Sequence, residues 1–372
     1  MHRAARRLRK RGDETIARPH DTTANSSLTL ALFSRFAIVA VALLIATFAV
    51  ASQVWLVTEL TPDPHSPIYP TPDQKAEVLL NAHDGKFFAA LAADPLVNHA
   101  DRIGPEVGER ASRPLWSWLA WAGSFGRRDR IPSVLMVLTA LSFAALVAAI
   151  LLLRDALGRD DSPALALAIS GAPGVLALVL FPGLNDAFGL ALVLAGFAAW
   201  KRNRSGIAIA AFAAAGLCHE ALLICPVAVL VDEWAAGRRN HHTLRWLLAL
   251  VPYGTWVLYV RVRANVWPTG SSTGNLDLPF VGLANALHER WHLLDVVCFV
   301  VILLASVVAW TKLRDVAFRL TLVVFAGIAA ILGPYIWARW VDFGRVLLPV
   351  CALAVVALAT PELSPTRRDG SG

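Results

Sequence analysis

Charge is what this chain most lacks. Only 16% of its 372 residues are Asp, Glu, Lys or Arg, where a soluble domain carries about 25% to cover its surface. Cysteine is scarce as well. Cys218, Cys225, Cys298 and Cys351 lie in or beside apolar stretches without metal-ligand spacing, which argues against a disulfide framework or a zinc site. There is no phosphate-binding Gly-Lys-Ser/Thr loop, no dinucleotide fingerprint and no Asp-x-Asp, so an activated substrate would not be a cytoplasmic nucleotide. Lysine is rare beside arginine, and alanine is abundant, which points to a GC-rich bacterial source.

Apolar residues fill the space that charge leaves. They make up 56% of the chain, with a mean hydropathy of +0.56. They gather in blocks of about 17 to 23 residues, the length that crosses a hydrocarbon core as a helix. The expected fold is all-α, a polytopic bundle of roughly nine or ten spans with a long polar loop after the first. Residues 1–28 are basic, then Ser/Thr-rich, and read as an unstructured cytoplasmic tail. The first span runs from about Phe36 to Val57. Ala49-Val50-Ala51 matches a signal-peptidase site, but the apolar run continues through Val54, Trp55 and Leu56, which favours an uncleaved anchor.

The transmembrane domain is expected over 29–360, including the polar loop 60–130, with a second cytoplasmic tail at 361–372. The loop opens with Pro62, Pro64, Pro67, Pro70 and Pro72, which exclude a continuous helix. From Asp73 to about Leu91 the pattern predicts an amphipathic helix along the membrane surface. Pro114 to Ala122, carrying Trp116, Trp118 and Trp121, is too short to span and reads as interfacial or re-entrant.

Further spans are predicted near 131–153, 163–180, 185–200, 246–260, 293–310, 318–337 and 345–360. Residues 205–231 are interrupted by Cys218-His219-Glu220 and followed by Pro226. They form either one tilted span with a buried His-Glu pair or two half-helices meeting near one surface. The positive-inside bias favours the half-helices. It places 154–161, 201–204, 232–245, 311–317 and the C-terminal tail inside. The loop 60–130, Asn185-Asp186, His219-Glu220, 261–291 and 339–345 then face outward. Much of the net charge of +7 sits in these inner links and in Arg3 to Arg11, where it anchors the chain to anionic lipid and does not imply nucleic acid.

That topology lets Asp84, Arg113, Asp186, His219, Glu220, Asp342 and Arg345 converge on one side. Charges at a membrane edge are costly and are usually functional or paired. Asp84, in His83-Asp84-Gly85-Lys86-Phe87-Phe88, is either a base for an acceptor hydroxyl, with Gly85 permitting close approach, or a solvated carboxylate. His83 either orients Asp84 or faces water, and Lys86 joins the substrate-binding candidates. Arg113 either grips a phosphate or snorkels. Asp186 is either a helix cap or part of the site. His219 and Glu220, set among alanines and leucines, need partners, in Arg113, Arg345 or a substrate. Arg345 is a second phosphate-gripping candidate.

The arrangement resembles the GT-C superfamily of membrane glycosyltransferases, which includes protein O-mannosyltransferases and the mannosyltransferases of GPI-anchor assembly. His83-Asp84-Gly85-Lys86-Phe87-Phe88 is similar to the Tyr-Asp-Gly-aromatic stretch of bacterial members, and Arg113-Pro114-Leu115 to their Arg-containing segment. Leu217-Cys218-His219-Glu220 resembles a Leu-Thr-Arg-Glu stretch, and Phe343 to Pro349 a late Arg-x-Leu-x-Pro element. His219 stands where arginine is expected, and His83 where an aromatic is usual.

The resemblance implies a polyprenyl-phosphate-linked sugar donor, an inverting displacement and Asp84 as base. It implies an unknown glycan or protein acceptor and a bacterial inner-membrane enzyme facing outward. Relatives differ in needing a divalent metal, so the resemblance leaves that open; no other cofactor is implied. The rival readings are a transporter or flippase built around the interrupted 205–231 segment and a non-catalytic subunit of an envelope assembly complex.

Overall fold

The computed structural model describes residues 84–99, 111–159, 172–180, 183–238, 241–265, 267, 275–289 and 291–358. The basic tail, the first span, the proline-rich stretch, His83 and the C-terminal tail lie outside the described residues. Among the described residues, all regular structure is helical apart from one isolated bridge between Leu276 and Leu332.

The α-helices are α1 (Gly85–Ala93), α2 (Pro114–Gly123), α3 (Ile131–Ala156), α4 (Pro173–Leu180), α5 (Asp186–Lys201), α6 (Ser205–Cys218) and α7 (Ile224–Ala235). They continue with α8 (Val251–Ala264), α9 (Val281–Glu289), α10 (Leu293–Lys312), α11 (Val316–Ala330), α12 (Pro334–Trp337), α13 (Trp340–Val346) and α14 (Leu348–Ala357). By length and composition, two helices are able to cross a membrane: Arg128–Ala156, which is α3 with its leading turn, and α10. A third is formed if α13 and α14, bent by 64° at Leu347, count as one span. Helices α6 and α11 are apolar but shorter.

Several predicted spans change shape for identifiable reasons. The stretch 246–260 is split into a 3-10 segment, His241–Leu250, and α8. The 318–337 span stops at Ala330, because the carbonyls of Ala330 and Ile331 accept from Phe280 and Asp277 instead of continuing a helix. Pro349, in the first turn of α14, donates no backbone hydrogen bond, so the chain breaks at Leu347. Arg345 therefore closes α13 and does not open the last span. The predicted surface helix is also different: Phe88, Ala89 and Ala92 of α1 are buried against Trp116, Ile131 and Leu135. Gly85 is buried too, so it presents no open backbone.

Polar contacts sort the helix ends into two tiers. At one tier Lys201, ending α5, pairs with Asp315 at 2.5 Å. The Asp232 carboxylate near the end of α7 accepts from the Ala317 amide opening α11, at 3.2 Å. Arg202 pairs with Asp155. Arg154 is fully buried at the end of α3 and donates to the carbonyls of Val355, Val356 and Leu358, while Arg159 reaches those of Ala357 and Lys312. At the other tier the Asn185 amide, opening α5, donates to the Cys218 carbonyl ending α6.

Helices α6 and α7 thus leave the first tier at Arg204 and return to it at Asp232, turning at His219. This is the half-helix arrangement. Asp186 and Lys201 bracket α5, so the tiers lie about 22 Å apart at 1.5 Å rise per residue. Between them Phe197, Phe212 and Phe318 meet edge to face with centroids 5.0 to 5.3 Å apart, the geometry that aromatic quadrupoles favour.

Candidate functional site

The upper tier gathers the charged residues into two groups. In the first, Arg345 Nη2 lies 3.7 Å from the Asp84 carboxylate and its Nε 3.5 Å from that of Asp186. Each comes from a different element: Asp84 precedes α1, Asp186 opens α5 and Arg345 lies in the last turn of α13. Both contacts are ion pairs without hydrogen-bond geometry, and the buried Nε of Arg345 makes no hydrogen bond. Asp342, one turn earlier on α13, is held by Arg339 at 2.8 Å.

Backbone packing fixes where Arg345 sits. Gly174 in the first turn of α4 lies so close to α13 that a Cβ there would meet the Gly344 carbonyl at 2.6 Å. Glycine is needed for this approach.

In the second group, Arg113 grips Glu220 with Nε at 2.9 Å and Nη2 at 2.7 Å. Ser112 Oγ contacts the same carboxylate at 3.5 Å, and a side-chain hydrogen bond joins Ser112 to Tyr253 of α8. Glu220 lies in the short connection between α6 and α7, outside the candidate spans. Burial raises the cost of ionising it, but the Arg113 charge and hydrogen bond prevail and hold its carboxyl well below the usual range. His219 is also near Glu220, at 3.9 Å. Its Nδ1, however, accepts from the Ala221 amide, so that nitrogen carries no proton. Burial, then the Arg113 charge, lowers its pKa in the same direction.

The structure therefore brings Asp84, Asp186 and Arg345 together, and separately Arg113, His219 and Glu220. Lys86 stands apart: its ammonium lies over the Phe87 ring, 5.3 Å from the centroid, and it forms no ion pair among the described residues. Sequence reasoning missed Ser112 and Tyr253. The signal for Tyr253 was its rarity, one of four tyrosines, in an apolar stretch. Among the described residues, no three His, Cys, Asp or Glu side chains are grouped to hold a metal ion.

Thr139 of α3 ties this tier to the helix, donating nothing outward but accepting from the Gly183 amide at 2.8 Å. The upper tier is thus about 12 Å below the start of α3 at Ile131. What they offer chemically is one guanidinium with an uncommitted N–H, flanked by carboxylates able to accept a proton. No protein-family model, curated protein or solved structure matches this chain.

Proposed function

We propose that this protein is a membrane glycosyltransferase of the GT-C type, moving a sugar from a polyprenyl-phosphate donor to an acceptor on the outer side of the membrane. The observation that carries the reading is the meeting of Asp84 with Arg345, 261 positions later by number (345 minus 84), at 3.7 Å. The reaction needs a carboxylate near the acceptor oxygen and a cation near the leaving phosphate, and this pairing supplies one of each.

In the proposed step the acceptor oxygen attacks the anomeric carbon and the bond from that carbon to the phosphate oxygen breaks. The acceptor proton passes to the Asp84 carboxylate, and the lipid phosphate leaves with the bonding pair. Arg345 supports this departure, since a guanidinium stabilises the charge that builds on a leaving phosphate. Arg113 is committed to Glu220, so its role shifts from gripping phosphate to holding the α6–α7 turn. His219, neutral, is suited to hydrogen bonding a sugar hydroxyl.

The test is transfer of radiolabelled sugar from polyprenyl phosphate in membranes carrying the wild type or Asp84→Asn. The variant is expected to lose about 10²- to 10⁴-fold of the rate, the usual contribution of a positioned base. Equal transfer by both would remove the assignment. A transporter is the second reading, favoured by the α6–α7 turn, which resembles the half-helices that build substrate sites in transporters. Solute movement into sealed vesicles, with no sugar transfer, would select it.

A further inference from the structure

At the junction of α2 and α3 lies a patch that sugar transfer does not use. Ser124 closes α2 by donating to the Trp121 carbonyl. The chain then takes two consecutive left-handed residues, Phe125 at φ 55° and Gly126 at φ 72°. Glycine adopts this region freely, but phenylalanine is strained there, and such strain persists where it serves a purpose. Its effect is to turn the Phe125 ring outward, where it is 84% exposed, beside Trp121 at 46%. Arg127, Arg128, Asp129 and Arg130 follow, all exposed. Arg127 is paired with Asp129 at 2.8 Å, whereas Arg128 and Arg130 form no ion pair among the described residues.

The height of this patch is set by α3. Arg130 lies 24 residues before Arg154, so it stands about 36 Å above the lower tier. A hydrocarbon core is about 30 Å thick and a bilayer about 40–45 Å with its headgroups. With the lower tier at one edge of the hydrocarbon, Arg128 and Arg130 fall within the opposite headgroup layer. Phe125 and Trp121 stand beside them, where aromatic rings partition at the interface.

We infer that this patch is a binding site for an anionic glycerophospholipid, with Arg128 and Arg130 on its phosphate and Phe125 and Trp121 against its upper acyl region. Two cations without ion pairs among the described residues match a phosphodiester whose charge no headgroup ammonium offsets, and the exposed rings match the apolar portion that a soluble polyanion lacks. The inference needs α3 to cross a bilayer but is independent of sugar transfer.

The experiment uses the full chain in detergent, offered phosphatidylglycerol and phosphatidylethanolamine in equal amounts, with retained lipid counted by native mass spectrometry. The wild type should retain phosphatidylglycerol preferentially. Joint Arg128→Gln and Arg130→Gln replacement should lower the ratio about fivefold or more, as near-surface basic residues interact with anionic lipid. Phe125→Ser should lower retention of both lipids. If the glutamine variant melts lower, Arg128→Lys with Arg130→Lys must restore the ratio. An unchanged ratio in the glutamine variant overturns the inference, as does displacement of the phospholipid by an acidic polysaccharide at equal charge.

Discussion

Arg113 and Glu220, 107 positions apart, are joined by two hydrogen bonds of 2.9 and 2.7 Å, so the segment leading into α2 is tied to the turn between α6 and α7. Both bonds leave from one guanidinium edge, a geometry that lysine cannot reproduce. Glu220→Gln or Arg113→Ala alone should cost about 2 kcal/mol, below the value for fully buried pairs because the Glu220 side chain is partly exposed. Joint Glu220→Gln and Arg113→Ala replacement should cost less than the two single changes added together. Thermal unfolding in detergent measures this, and strictly additive losses would refute a coupled pair.

Arg345 and Arg113 should part company in function. Arg345→Lys is expected to slow sugar transfer about a hundredfold or more, the scale on which loss of an oriented transition-state donor acts. Its melting temperature should change little, because Arg345 Nε makes no hydrogen bond to lose. Arg113→Lys should show the reverse, with lower stability and a smaller change in turnover. The reverse ordering of the two variants would exchange their assigned roles.

Two glycines facing each other should respond unequally. A methyl added at Gly174 meets the Gly344 carbonyl at 2.6 Å, whereas one added at Gly344 meets nothing nearer than 3.4 Å. Gly174→Ala should therefore destabilise by about 1–3 kcal/mol, the range for overpacking, and reduce transfer by displacing α13. Gly344→Ala should be neutral or slightly stabilising, because alanine is favoured over glycine in a helix. Parallel unfolding curves for the two variants would show that the close approach is wrong.

Arg154 offers a stability test away from the site. Its side chain holds the carbonyls of Val355, Val356 and Leu358 at the end of α14, of which that of Val355 also accepts from the Leu358 amide at 3.3 Å. Arg154→Leu should lower stability by about 1–3 kcal/mol, chiefly through the carbonyl of buried Val356 left unpaired. Unfolding midpoints of Arg154→Leu and Arg154→Lys, with lysine partly restoring the loss, provide the check.

Topology is open to thiol labelling. Ser112 is buried, so Ala122 and Ala235, both exposed, are the better single-cysteine positions. The half-helix turn places them on opposite sides of the membrane, and an impermeant reagent should label Ala122→Cys in intact cells and Ala235→Cys only after lysis. Labelling of both from one side would reject the turn.

Much of this was legible in the chain, for local reasons. Helices α3, α5 and α10 begin and end close to their predicted limits, because each is an uninterrupted apolar run with charged residues at its ends. His219-Glu220 was legible as the break in 205–231, and the positive-inside bias favoured a turn there over a tilted span with a buried pair. The end of α11 was not recognisable, since its cause lies in Asp277 and Phe280, some fifty positions earlier. The pairing pattern was equally hidden. Sequence says that Glu220 needs a cation, but only the approach of Arg113 decides which one and leaves Arg345 the less committed. Lys86 was grouped with Asp84 by adjacency, yet neighbouring residues on a helix point in different directions.

The Gly174–Gly344 contact bears on how this protein can change over time. Where two backbones touch with no side chain between them, repacking of neighbouring apolar residues has little leverage on their separation. The guanidinium one residue along is thereby insulated from drift in the surrounding bundle. Its surroundings are free to vary while its address in space stays the same.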